Sequence, residues 1–201
     1  GRLYVTYTAY DGVNVPHGAV SSISLADFSA KRFEKFTAPS IVTPPGVDDK
    51  DLSLLPAKID GNFLLYHRIK NRICADLLPD FESGAAVLRC IEVIGPRDGM
   101  WDAAKVGIAA PPLRVPGGWL MLYHGVSKRS RYRVGVALLA QDGITVLARS
   151  ADPVFEPEAP YEREGEVGNV VFPCGAVVRG DTLYMYYGGA DKVVGVATAS
   201  L

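Results

Sequence analysis

One pattern dominates the chain: a short run of consecutive apolar and aromatic residues that follows a glycine and stops on a polar group. It occurs as GRLYVTYTAYDG at 1–12, GNFLLYHRI at 61–69, GGWLMLYHGV at 117–126 and GDTLYMYYGGAD at 180–191. The leading glycines, Gly1, Gly61, Gly118 and Gly180, recur at intervals of roughly sixty residues, and self-similarity at a near-fixed period marks a repeat architecture. Runs of this length and composition, bounded by turn residues, predict strands.

Each run has neighbours of a constant type. Upstream, LSLLPAKIDG, GIAAPPLRVPGG and VVFPCGAVVRGD each carry a proline a few residues ahead of a turn. Downstream, GAVSSISLADFSAKRF, YRVGVALLAQDGITVLAR and KVVGVATASL alternate small residues with Val, Ile or Leu. A unit therefore holds a proline-marked strand, a Gly-led aromatic strand, a small/apolar strand and an outer strand such as ITVLARS. Four short strands repeated radially predict an all-β fold, the β-propeller, which leaves only short protected edges. A β-sandwich has no reason to repeat a four-strand unit. Gly1 enters at the second strand of a unit and Leu201 falls in a third strand. The expectation is a single propeller domain over 1–201, N-terminally incomplete, with about four blades represented.

Composition adds limits. The 201 residues are 48% hydrophobic, with 21 Gly and 14 Pro, which suits one turn-rich domain with a sizeable core. The formal charge is −1 and no long block of like charge occurs, which argues against nucleic acid as the main partner. The basic stretch SKRSRYR at 127–133 reads as a solvated hairpin loop. No apolar run approaches the roughly twenty residues needed to span a bilayer. Cys74, Cys90 and Cys174 lack metal-ligand spacing and read as small buried hydrophobes in a reducing, cytoplasmic setting, with Cys174 in the core.

Propeller sites form at one mouth of the central channel, where equivalent strand ends of successive blades converge. His67 and Arg68 end one aromatic strand, Tyr123 and His124 the next, Tyr10 and Asp11 the first, and the stretch from Tyr187 to Asp191 the last. Ahead of the inner strands lie Asp49, Lys50 and Asp51, then Trp101, Asp102 and Lys105, then Glu164, Glu166 and Asn169. Lys50, Arg68 and Lys105 converging on one cleft need an anion to offset their repulsion: phosphate, a carboxylate or a neighbouring Asp. Aromatic rings interleaved with carboxylates suit a sugar.

The stretches DKDLSLLPAKIDGNFLLYHRI, WDAAKVGIAAPPLRVPGGWLMLYHGV and YEREGEVGNVVFPCGAVVRGDTLYMYYGGADKVVGVATASL resemble glycoside hydrolase family 130, the family of β-mannoside phosphorylases and some β-mannosidases. The resemblance covers nearly the whole chain and implies a five-bladed β-propeller. It also implies phosphate binding by Lys50, Arg68, Lys105 and His124. Mannosyl contacts are implied at Asp191, and the same strand ends add Asp11, His67 and Tyr123 as substrate-binding candidates. The family's general acid, an Asp in a Glu-Asp motif, is expected just upstream of YVTYTAYDG, ahead of Gly1, so no catalytic acid is assigned within the chain.

The implied reaction is inverting phosphorolysis of a β-mannoside to mannose 1-phosphate, with inorganic phosphate as co-substrate, no cofactor and no metal. A phosphorylase needs only the acid, because phosphate is already an anionic nucleophile; a hydrolase also needs a carboxylate base to activate water. Two alternatives stand beside it: a hydrolase using Glu164 or Glu166 as that base, and a non-catalytic glycan-binding propeller fragment. Homo-oligomer formation is a further expectation, since blade-edge strands invite pairing.

Overall fold

The computed structural model describes residues 1–81, 89–108 and 110–201. Its strands form four antiparallel sheets that follow one another along the chain. The first sheet contains β1 (Arg2–Ala9), β2 (His17–Ser24) and β3 (Ser40–Ile41). The second contains β4 (Asp49–Ile59), β5 (Asn62–Ile69), β6 (Arg72–Leu78) and β7 (Ile91–Ile94). The third contains β8 (Lys105–Ile108), β9 (Leu113–Val115), β10 (Gly118–Val126), β11 (Tyr132–Leu139) and β12 (Val146–Arg149). The fourth contains β13 (Val171–Arg179), β14 (Thr182–Gly189) and β15 (Val193–Ser200). Two short helices, α1 (Leu25–Ser29) and α2 (Pro160–Arg163), lie between strands.

The prolines noted in the sequence share one structural job. Pro56 lies within the register break of β4 against β5, between Leu54 and Lys58. Pro173 borders the break of β13 against β14. Pro111 and Pro112 separate β8 from β9, which pair with opposite ends of β10. A proline cannot donate to a ladder, so it is tolerated where the strand bends away from its partner.

Three hydrophobic cores lie between successive sheets. Val20, Leu52, Leu65 and Leu78 pack between the first and second. Leu64, Tyr66, Val106, Met121 and Tyr123 pack between the second and third, and Leu122, Val134, Val171 and Met185 between the third and fourth. Strand alternation explains the assignment. On β5, Leu64 and Tyr66 enter one core and Leu65 the other; on β10, Met121 and Tyr123 enter one and Leu122 the other. A blade covered on both faces needs apolar residues at both parities, which is why LMLY is continuous rather than alternating.

The cysteines depart from the sequence expectation. Cys74 and Cys90 are joined in a disulfide, and Cys174 is exposed, its thiol donating to the Phe172 carbonyl at 3.2 Å. The shift in pairing between Pro173 and Gly175 skips residue 174, which turns its side chain out of the core.

Candidate active site

The site is assembled where β4, β5, β8 and β10 meet. Lys50 on β4 lies opposite Arg68 on β5. Lys105, the first residue of β8, lies opposite Val126 of β10, and two residues on Gly107 lies opposite His124. Asp51 is the joining element. It has a left-handed φ of 54° at the break in the β4 ladder between Lys50 and Ser53. Arg68 Nη1 lies 3.1 Å from Asp51 Oδ2, and His124 Nε2 lies 3.6 Å from the same oxygen. Gly107 is small for a local reason: a Cβ there would fall 2.2 Å from Asp51 Oδ2 and 2.4 Å from His124 Cε1.

The electrostatics of the cluster are mutual. Burial pushes the Asp51 carboxyl above its ordinary value, against the pull of Arg68, Lys105 and Lys50. Burial, followed by the charges of Arg68 and Lys105, drives the His124 imidazole well below its ordinary value, so the ring is neutral at pH 7. His124 is fully buried, and neither of its nitrogens has a hydrogen-bond partner. Its ring lies 4.3 Å from that of Phe172 and 6.0 Å from that of Tyr132, centroid to centroid. Lys105 Nζ sits 5.0 Å over the Tyr132 ring. Arg68, Lys105 and Lys50 thus all act on Asp51 beside a neutral imidazole with two free nitrogens, while Lys50, partly exposed, also pairs with Asp48 at 3.5 Å; the composition suits a small anion.

The other substrate-binding candidates from the sequence lie elsewhere. His67, next to Arg68 in the chain, points to the opposite face of β5. It is fully buried, with Nδ1 3.1 Å from Asp49 Oδ1 and Nε2 2.9 Å from Asp76 Oδ2. Burial alone would depress its pKa, but the hydrogen bonds and charges of Asp49 and Asp76 overcome it and lift the imidazole to about 9. Thr43 Oγ1 donates to Asp49 at 2.7 Å, and the Arg89 and Cys90 amides donate to Asp76. Tyr123 relates to His124 as His67 does to Arg68. Its hydroxyl donates to Asp102 Oδ2 at 3.1 Å and accepts from Arg149 Nε at 3.1 Å, and Asp102 is further held by Arg97 and Arg149. Both aromatic groups have their polar atoms engaged inside the blades.

Asp11 and Asp191 are on exposed turns. Asp11 accepts hydrogen bonds from the Val13 and Asn14 amides and the Asn14 side chain, which lower its carboxyl to about 2. Asp191 has φ 51° in the β14–β15 turn. Glu164 and Glu166 line a 610 Å³ cavity with Pro160, Tyr161, Gly165, Lys192 and Val193, among which no residue of the cation cluster appears. Gly107, Tyr132 and Phe172 are members of the cluster that the sequence did not single out, whereas Asp51 stood out beside Lys50 as a possible counter-charge.

Known proteins place this architecture. The profile of glycoside hydrolase family 130, described as beta-1,4-mannooligosaccharide phosphorylase, matches residues 1–201. A 1,2-beta-oligomannan phosphorylase of Thermoanaerobacter sp. is 40% identical over 153 residues, 74% of this chain and 50% of its own length. A beta-1,2-mannobiose phosphorylase of Listeria innocua is 37% identical over 190 residues, 90% of this chain and 52% of its own. The solved structure of the Listeria innocua beta-1,2-mannobiose phosphorylase with beta-1,2-mannobiose superposes with a TM-score of 0.85 at 33% identity, over 99% of this chain and 55% of that one. The chain spans about half the length of the curated relatives it matches. With four successive sheets in the propeller order, a family profile matched from end to end and a close structural superposition, the chain belongs to glycoside hydrolase family 130, whose fold is the five-bladed β-propeller.

Proposed function

We propose that the protein carrying this chain is a β-mannoside phosphorylase. Lys50, Arg68, Lys105 and His124 hold inorganic phosphate, and one phosphate oxygen attacks the anomeric carbon of a β-mannoside. The C1–O bond to the leaving sugar breaks, its oxygen takes a proton from the carboxylic acid expected ahead of Gly1, and α-mannose 1-phosphate forms with inversion. The observation that carries this reading is the convergence of three cations on a recess that also holds a buried neutral imidazole with no partner. Arg68 supplies a planar fork and the two lysines supply point charges, while neutral His124 donates one N–H. Fixing phosphate in line with the anomeric carbon contributes the positioning part of the rate.

Asp51 holds Arg68 in place by its 3.1 Å ion pair. His67 and Tyr123 act behind the recess, fixing the strands that carry Arg68 and His124. Asp11 and Asp191 belong on this reading to the mannoside side of the mouth. The relatives at 37% and 40% identity are both named for β-1,2-linked mannosides, so a β-1,2-mannoside is the substrate we assign.

The test is product analysis with β-1,2-mannobiose, with and without inorganic phosphate, on the full-length protein. Mannose 1-phosphate formed only with phosphate, and lost in Arg68→Ala, is the expected result. Free mannose formed equally in both conditions would overturn the reading in favour of water activation by a carboxylate such as Glu164 or Glu166.

A further inference from the structure

The hairpin between β10 and β11 holds a second concentration of positive charge. Lys128, Arg129, Arg131 and Arg133, with Ser127, border a cavity of 370 Å³. The chain as a whole carries a formal charge of −1, so this is a local excess. Its counter-charges are few. Asp98 pairs with Lys128 at 3.1 Å, and Glu156 is shared by Arg131 at 3.3 Å and Arg133 at 3.8 Å. Arg129 has no ion-pair partner among the described residues. The Nε atoms of Arg131 and Arg133 are buried and donate to nothing, although their outer nitrogens reach the carbonyls of Pro157 and Trp101. Two carboxylates thus pair directly with the four cations, and Asp102 acts on Arg133 from farther off. Like charges at this density repel, and buried guanidinium donors left without acceptors are costly.

From this we infer a second anion site, distinct from the phosphate recess, that takes a phosphate group: inorganic phosphate or the phosphate of a small sugar ester. The cavity suits a small ligand rather than a polymer. Tetrahedral phosphate oxygens match the forked donors of Arg131 and Arg133, with Lys128 and Arg129 closing the outer side. Its place in the fold gives it a role. Val126, just before the loop, pairs with Lys105, and Tyr132, just after Arg131, lies beneath Lys105 and beside His124. An anion held by the loop therefore sits on the hairpin whose two strands carry His124 and Tyr132. The inference stands on this loop's own charges and does not require the proposed phosphorolysis.

The experiment counts anions bound to the full-length protein by titration calorimetry, with inorganic phosphate and separately with mannose 1-phosphate. The variants are Lys128→Gln/Arg129→Gln, Arg131→Gln and, as a reference for the recess, Arg68→Ala. The expected result is two phosphate equivalents in the wild type, with one lost in either loop variant and the other lost in Arg68→Ala. A second equivalent seen only with mannose 1-phosphate would identify the sugar ester as the ligand. One equivalent in the wild type, removed by Arg68→Ala and untouched by the loop variants, would overturn the second site while leaving the recess intact. Lys128 and Arg129 are exposed, so their double variant keeps the test valid should Arg131→Gln fail to fold. A single phosphate equivalent together with oligonucleotide binding abolished by Lys128→Gln/Arg129→Gln would reassign the loop to nucleic acid and overturn the inference as well.

Discussion

The phenol of Tyr123 fills the space that a side chain at Gly135 would need. The two residues pair across β10 and β11, and a Cβ on Gly135 would lie 2.5 Å from the tyrosine oxygen. Tyr187 and Gly195 stand in the same relation one blade later, with a Cβ 2.9 Å from that oxygen. Each tyrosine then reaches a buried carboxylate: Tyr123 to Asp102 at 3.1 Å, Tyr187 to Glu162 at 2.6 Å. The tetrapeptide VGVA, present at 134–137 and again at 194–197, is the sequence trace of this repeated arrangement.

Gly135→Ala and Gly195→Ala are therefore expected to destabilise the protein by about 1–3 kcal/mol each, the usual cost of overpacking against a rigid ring. Neither glycine has a positive φ, so backbone strain does not contribute. Urea unfolding of the two variants measures this. An unchanged midpoint would show that the tyrosines can move aside.

The His67 pair makes stability depend on pH. Its imidazole titrates near 9 in the fold against an ordinary 6.5. The stabilisation is fully present below about pH 6.5 and is lost as pH rises through 9, and it amounts to on the order of 3 kcal/mol. Unfolding followed from pH 6 to 10 should show this decline, and His67→Gln should flatten it. The same variant should cost about 3–5 kcal/mol at neutral pH, since it leaves Asp49 and Asp76 as buried charges without their cation. A wild-type profile as flat as the variant's would refute a buried imidazolium.

Gly107→Ala separates the recess from the fold. The added methyl meets Asp51 Oδ2 and His124 Cε1, so the carboxylate swings away and its grip on Arg68 is lost. We expect KM for phosphate to rise by about tenfold, a little over 1 kcal/mol, with a smaller change in unfolding midpoint. Phosphate kinetics at saturating mannoside check this, and an unchanged KM would remove Asp51 and His124 from phosphate binding.

Much of the recess follows from strand ends that the sequence displays. Lys50, Arg68, Lys105 and His124 occupy comparable ends of repeated strands, and the propeller brings comparable ends together. The sequence could not choose between neighbours. His67 and Arg68, or Tyr123 and His124, look equally polar on paper, yet pleating sends one of each pair into a blade and the other toward the recess. The cysteines show the same limit: pairing of Cys74 with Cys90 depends on where the chain returns after β6, which spacing does not specify.

The sequence by itself determined the blade. Its glycine-led apolar runs, its prolines and its VGVA repeats set strand order, bends and the depth of burial, because these are local consequences of pleating, missing amide donors and side-chain volume. Only the tertiary structure decided the charges. Whether a histidine is a neutral ring beside two cations or a charged clamp between two aspartates depends on groups supplied by other strands. Asp76 stands nine residues from His67, whereas Lys105 and Arg68 act on His124 from β8 and β5. Electrostatic environment is set by distance in space and by the water displaced there, and neither is written along the chain.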